Sequence, residues 1–308
     1  GNDVENCSIV TTTEGTYTFT ICWINGVPTL SVAYPSGSNT SYSVSFDNSE
    51  KNWSSMYAYV FNEGDGTLLT SGWPGEKLSN PDNNIYTYSV VTNKVPTTII
   101  WNNNDNGSDN QTTNIAFING MTYKYTSSNV LEYISCKRSG LTVGEYGTIC
   151  LPLAGTISGA KAYSIAGKDE NYIYIDEVED GALVAGTPYI IKATDADQIV
   201  TITNQTWQGT IQTANGLIGK YSRFPMTGLS STDFEHAYVV TSSEIQKVSR
   251  NSGIVAYRAY INLNSVGDYT SAPGRPVIAM PLAGNDATAL ENVDASNDAV
   301  KFVENGQL

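Results

Sequence analysis

Tyr57 and Tyr59 stand two residues apart in the run Trp53-Ser-Ser-Met-Tyr57-Ala-Tyr59-Val-Phe61. A Gly-Asp-Gly turn at 64–66 and then Gly72-Trp73-Pro74-Gly75-Glu76-Lys77 follow. Side chains of a strand alternate between its faces, so the two tyrosines share one face, and a hairpin returns Trp73 beside them with its backbone held by proline and glycine. Three rings on one face make a flat aromatic platform. The chemistry open to such a platform is stacking against the axial C–H patches of sugar rings, whose hydroxyls then need amides and a charge nearby. Asn102, Asn103, Asn104, Asn110, Gln111 and Lys77 could supply those.

Other chemistries lack their parts. A glycosidase needs two carboxylates across a groove. With 30 acidic residues in the chain, pairs such as Asp176 and Glu177, or Glu179 and Asp180, read as solvated strand edges. No Gly-x-Ser-x-Gly elbow, His-Glu-x-x-His motif or phosphate loop is present, and His236 is the only histidine. Asn102, Asn104 and Asn106 with Gly107 imitate the first half of a calcium loop, but the twelfth position is Thr113 and no helices flank it. No catalytic residue, metal site or cofactor is expected.

The order of landmarks along this stretch resembles a family 26 carbohydrate-binding module, across roughly residues 40–126. The landmarks are Phe46-Asp47-Asn48 before Asn52-Trp53, the Tyr57-Ala-Tyr59-Val-Phe61 strand, Gly72-Trp73-Pro74-Gly75, Ile85-Tyr86-Thr-Tyr88, and Ile99-Ile-Trp-Asn-Asn-Asn followed by Asn110-Gln111-Thr112. The resemblance implies a small β-sandwich that binds starch and maltooligosaccharides without catalysis. It also implies an aromatic pair, one from the Tyr-x-Tyr strand and one from the Trp-Pro-Gly segment, cradling consecutive glucose units. Carried onto this chain, the binding residues are Tyr57, Tyr59 and Trp73, with Lys77, Asn103, Asn110 and Gln111 as polar contacts. Trp53 and Trp101 read as core anchors. The competing reading is a structural or protein-interaction segment in which the aromatics only pack, since aromatics at i and i+2 also make cross-strand pairs.

Composition points the same way. The net charge of −14 repels phosphate backbones, which excludes nucleic acid as a partner. Abundant Tyr (20) and Gly (27), with few charges, mark an all-β protein, expected to be extracellular or on the outer cell surface, and the resemblance implies a place in polysaccharide utilisation. No apolar run reaches the ~18–20 residues of a membrane span. Gly1 reads as a tag remnant, and secretion is inferred from composition rather than from a leader. Cys7 with Cys22, and Cys136 with Cys150, are spaced compatibly with two disulfides, while Cys150 in Thr-Ile-Cys-Leu-Pro equally suits a buried free thiol.

The expected architecture is tandem antiparallel β-sandwiches, immunoglobulin-like or jelly-roll. Residues 1–36 form a hairpin, turning at Asn25-Gly26, that either closes a preceding domain or docks on its neighbour. Residues 37–128 form the starch-binding sandwich, 129–285 an accessory sandwich, and 286–308 a polar C-terminal linker. An amylase or pullulanase domain upstream in a longer parent chain would fit this arrangement. The accessory half resembles a β-rich domain common in secreted proteins of gut-type bacteria, carried by Gly147-Thr-Ile-Cys-Leu-Pro, the stretch 181–189 and Tyr257-Arg-Ala-Tyr. That resemblance implies no chemistry. Its tyrosines suit packing, and Trp207 is expected in an alternating strand with no platform around it.

Overall fold

The computed structural model describes residues 18–24, 27–33, 39–79, 81–105, 107, 109–249, 252–270, 276–282 and 291–294, with side chains from residue 39 onward except at 276 and 291–294. The chain is nearly all β. The strands are β1 (Thr18–Ile24), β2 (Val27–Ala33), β3 (Thr40–Asp47), β4 (Met56–Phe61), β5 (Glu76–Leu78), β6 (Ile85–Thr92), β7 (Thr98–Asn102), β8 (Ile115–Ala116), β9 (Met121–Tyr125) and β10 (Leu131–Arg138). They continue with β11 (Tyr146–Ile149), β12 (Ala154–Ser158), β13 (Ala160–Lys168), β14 (Tyr172–Glu177), β15 (Ala182–Leu183), β16 (Tyr189–Ala193), β17 (Gln198–Asn204), β18 (Leu217–Lys220) and β19 (Phe224–Pro225). After the short helix α1 (Ser231–Glu235) come β20 (Ala237–Val240), β21 (Ile245–Lys247), β22 (Gly253–Ile254), β23 (Arg258–Asn262), β24 (Pro276–Pro281) and β25 (Glu291–Asp294). The helix was not legible as periodicity. It is a single turn whose Ser230 hydroxyl accepts from the Asp233 backbone N–H at 3.1 Å.

The described residues divide into two compact units. The first holds Gly1–Ser43, Ser54–Pro81 and Thr87–Phe117; the second holds Val44–Trp53, Asp82–Tyr86 and Ile118–Leu308. In the first, β1 and β2 pair antiparallel as the sequence predicts, with Ile24 opposite Val27. The side chains of this hairpin lie outside the described residues.

The first unit's main sheet runs β5-β4-β7-β8, all antiparallel. Residues opposite each other across an antiparallel pair share a face. One face therefore carries Leu78 beside Met56, Ala58 beside Trp101, and Val60 beside Ile99 and Ile115, every one of them buried. Strand β4 alternates strictly between buried and half-buried side chains. The strand can pack Met56, Ala58 and Val60 inward only by presenting Tyr57, Tyr59 and Phe61 outward. Burying side chains of this size yields ~1.5–3 kcal/mol each, enough to fix the register against a one-residue slip that would reverse both faces.

The second unit contains a sandwich. The sheet β11-β16-β13-β14-β24-β25 contributes Tyr163, Ile165, Ile173, Ile175 and Ile190 to a core shared with Leu217, Ile245, Ala259 and Ile261 of the sheet β18-β23-β20-β21. The Thr148 hydroxyl ties the two sheets, donating to the Ala259 carbonyl at 3.2 Å and accepting from its N–H at 3.0 Å. A further set of paired strands in this unit runs β15-β12-β17-β10-β9 and on to residues 44–47 of β3. Here one pairing departs from the antiparallel expectation: β3 runs parallel to β9, with Ser45 opposite Thr122 and Phe46 opposite Tyr123. Parallel neighbours need a long connection, and residues 48–120 provide it.

One reading left open by the sequence is decided, and one expectation meets a different outcome. Cys136 and Cys150 are buried free thiols, so no bridge joins them. Cys7 and the side chain of Cys22 lie outside the described residues. Trp207 is not in a strand, because β17 ends at Asn204 and residues 205–209 have no regular structure.

Candidate functional site

The outward face of the first unit's sheet is built in rows. Lys77, Tyr57 and Asn102 lie side by side across β5, β4 and β7, and an isolated antiparallel bridge sets Gln111 opposite Asn102. In the next row Tyr59 stands beside Ile100. Trp73 reaches this face from the turn between β4 and β5. Its ring centroid lies 5.6 Å from that of Tyr59, with 64° between the planes, and Tyr59 in turn meets Phe61 at 5.5 Å and 46°. Trp73 keeps 40% of its surface exposed. The pair is therefore an angled corner of two rings, a half-exposed indole against a half-buried tyrosine.

The turn that carries Trp73 is fixed at several points. The Gly75 N–H donates to the Gly72 carbonyl at 2.9 Å, the Trp73–Pro74 bond is cis, and the Ser71 hydroxyl donates to the Gly75 carbonyl at 3.1 Å. Gly75 has φ +96°, and a Cβ there would stand 2.2 Å from the Ala58 carbonyl oxygen. Only glycine permits both the left-handed backbone and this approach. The loop leading into the turn is tied back as well. Leu69 N–H donates to Val60 O at 2.9 Å, and the Tyr88 hydroxyl donates to Leu69 O at 3.4 Å. Burial pushes that Tyr88 hydroxyl up to about 12. At the tip, Asp65 accepts from the Thr67 N–H at 2.9 Å, and this bond holds its carboxyl below the usual range.

Asn102 is the residue that sequence reasoning placed differently. Named among the amides that could meet sugar hydroxyls, it is instead fully buried: its Nδ2 donates to the Pro74 carbonyl at 3.0 Å and its Oδ1 accepts from the Asn104 N–H at 3.0 Å. It joins the end of β7 to the turn bearing Trp73. No local signal exposes this: the alternation of β7 puts position 102 on the outward face beside Tyr57, and the turn carrying Trp73 closes over it.

The remaining polar residues lie in the same unit. Lys77 is exposed, and Asn103, Asn110 and Gln111 are half-buried. Asn103 and Asn110 close their loop on each other, through the backbone at 2.9 Å and through Asn103 Nδ2 to Asn110 Oδ1 at 3.1 Å. Trp101 is fully buried and Trp53 is 7% exposed, the latter stacked on Phe46 at 5.5 Å with planes 2° apart. Both are core residues.

These rings, this turn and this amide loop occupy a defined stretch of chain. Residues 44–117 match the family model of starch-binding module 26, CBM26. The matched span falls inside the stretch that carries the sequence resemblance, and Tyr57, Tyr59, Trp73, Lys77, Asn103, Asn110 and Gln111 all lie within the CBM26 span. CBM26 is a non-catalytic binding module. Among solved structures, the chain is similar to CBMbc (family CBM26) from Eubacterium rectale Amy13K, crystallised in complex with maltoheptaose. The identity is 11%, the match covers 84% of this chain and 88% of that one, and the TM-score is 0.23. No curated protein matches the chain significantly.

Proposed function

We propose that the chain binds starch and related α-1,4-glucans non-catalytically, through the corner formed by Tyr59 and Trp73. Tyr57 extends the aromatic surface along β4, and Lys77, Asn103, Asn110 and Gln111 meet sugar hydroxyls at its margin. The observation that carries this is the half-exposed indole of Trp73 set at 64° to Tyr59 inside a span matching a starch-binding module. A ring that served only to pack would gain most by full burial. An indole tilted against a tyrosine offers two faces to successive glucose units of a curved chain. The wider reading is a secreted or cell-surface protein of polysaccharide utilisation, with any catalytic domain elsewhere in a longer parent chain.

The test is Trp73→Ala, followed by affinity electrophoresis in soluble starch and by calorimetry with maltoheptaose. Loss of one stacking ring is worth ~1–2 kcal/mol, a fall in affinity of roughly tenfold. Retardation should be clearly reduced while the thermal unfolding midpoint stays close to that of the parent. Undiminished binding by the variant would overturn the site and favour the reading in which these aromatics only pack.

A further inference from the structure

A second tryptophan, in the other unit, meets a tyrosine in nearly the same way. Trp207 is 40% exposed, and its ring lies 5.9 Å from that of Tyr133 with 44° between the planes. The values for Trp73 and Tyr59 are 40%, 5.6 Å and 64°. Each pair consists of a strand tyrosine and a half-exposed indole delivered by an irregular segment.

The segment around Trp207 is held from both sides. Gln205 mimics a strand partner: its Oε1 accepts from the Tyr133 N–H at 2.8 Å and its Nε2 donates to the Tyr133 carbonyl at 2.9 Å. Beyond the tryptophan, Gln208 N–H donates to Pro152 O at 2.8 Å, and the Tyr221 hydroxyl donates to Gln208 O at 2.8 Å. Four hydrogen bonds thus fix residues 205 and 208, and the indole between them is left facing water. The tyrosine is equally well placed. A break in register between Tyr133 and Ser135 of β10 marks a bulge, the usual device for re-aiming a strand side chain, and fully buried Tyr123 lies beside half-buried Tyr133, directly opposite it on β9, with ring centroids 5.8 Å apart. Tyr123 is itself anchored, since its hydroxyl accepts from the Ile118 N–H at 2.9 Å. A surface whose rings are held in place before a ligand arrives loses less entropy on binding.

We propose that Tyr133 and Trp207 form a second sugar-stacking site, taking an α-glucan segment, independent of the Tyr59–Trp73 corner. The choice of sugar rests on the reading of that corner; the existence of the surface rests on the geometry of this one. Exposed Asn204 and Thr206 precede the indole and half-buried Gln208 follows it, supplying polar groups beside the rings.

The experiment is calorimetry of the full chain with maltoheptaose, in the parent, Trp73→Ala, Trp207→Ala and the double variant. Two ligands per chain are expected for the parent, one for each single variant and no heat for the double. Ligand-induced change in tryptophan fluorescence should persist in Trp73→Ala and vanish in the double variant. Trp207→Phe, which keeps a ring, should retain the second ligand with affinity within about tenfold of the parent. One ligand per chain in the parent, unchanged by Trp207→Ala or Trp207→Phe and lost with Trp73→Ala, would overturn this proposal and leave the first site standing. Binding unaffected by Trp73→Ala but lost with Trp207→Ala would support this site and overturn the first. No heat in the parent would overturn both.

Discussion

The side-chain amide of Asn102 donates to the carbonyl of Pro74 at 3.0 Å, so a fully buried residue at the end of one strand sets the position of the turn that carries Trp73. Asn102→Ala should leave the Pro74 carbonyl and the Asn104 N–H without their partner, at a stability cost of ~1–3 kcal/mol. Because Asn102 itself is closed to ligand, its effect on starch binding must come through Trp73. The variant should lose affinity without losing stoichiometry, and a double variant with Trp73→Ala should bind no worse than Trp73→Ala alone. Additive losses in calorimetry would show that Asn102 acts on the ligand by another route.

Gly75→Ala tests the same turn from the backbone side. At φ +96° and 2.2 Å from Ala58 O, an added methyl cannot be accommodated unless the turn moves off β4. The expected cost is at least ~2 kcal/mol in denaturant unfolding, with starch retardation reduced together with it. Gly72, where nothing lies within 4 Å of the added Cβ, is the control, and Gly72→Ala should change neither quantity appreciably. Equal behaviour of the two variants would refute the close approach.

Selectivity should follow the angle between the rings. Planes set 64° apart suit the curved helix of an α-1,4-glucan and not the flat ribbon of a β-1,4-glucan. Retardation is expected in amylose and amylopectin gels and absent with cellulose or xylan. Comparable retention on cellulose would sink the corner as the source of recognition.

Alkali should weaken the fold. Burial pushes the Cys136 thiol up to about 11 and the Cys150 thiol up to about 12. In the unfolded chain a thiol ionises near ~8.5, so above that pH the folded state holds more protons than the unfolded state and stability falls as pH rises. The contribution is fully present below ~8.5 and is lost as pH rises through the folded values. Each buried thiol forced to ionise costs on the order of 1–3 kcal/mol. Thermal midpoints should be level from pH 7 to 8, as far as these groups act, and drop by pH 10.5. Iodoacetamide at pH 8 should modify the peptides containing Cys136 and Cys150 only after denaturation. Rapid labelling of the native protein would contradict the buried-thiol assignment.

Much of the site was legible because it depends on local patterns. The period-two alternation of β4 dictates that Tyr57 and Tyr59 share a face, and the Trp-Pro-Gly segment announces a turn close to them. What could not be read was how polar residues divide between ligand and scaffold. Asn102 and Asn103 are adjacent and chemically identical, yet one is fully buried beneath the turn while the other closes a surface loop. The distinction is made by the register of β7 against β4 and by the distance to Pro74, both set by tertiary pairing. Trp207 illustrates the same limit. Its neighbours suggest a continuing strand, but Gln205 satisfies the Tyr133 backbone with its side chain, ends the ladder there and turns the indole out. The parallel pairing of β3 with β9 is beyond any local signal, since the partners lie far apart in the chain.

That pairing sets the tempo of folding. Ser45 finds Thr122 only after the intervening chain has been drawn into a closed loop, and Thr148 must find Ala259 across a separation of 111 residues. Ordering such distant partners brings the loop-closure penalty before the contacts that offset it, so topologies of this kind fold in milliseconds to seconds rather than microseconds. During that interval the bare edges of β3 and β9 are open to pairing with other molecules. Yield on refolding from denaturant should therefore depend steeply on protein concentration, a behaviour that comes from connectivity alone and would persist in variants lacking every aromatic of the binding face.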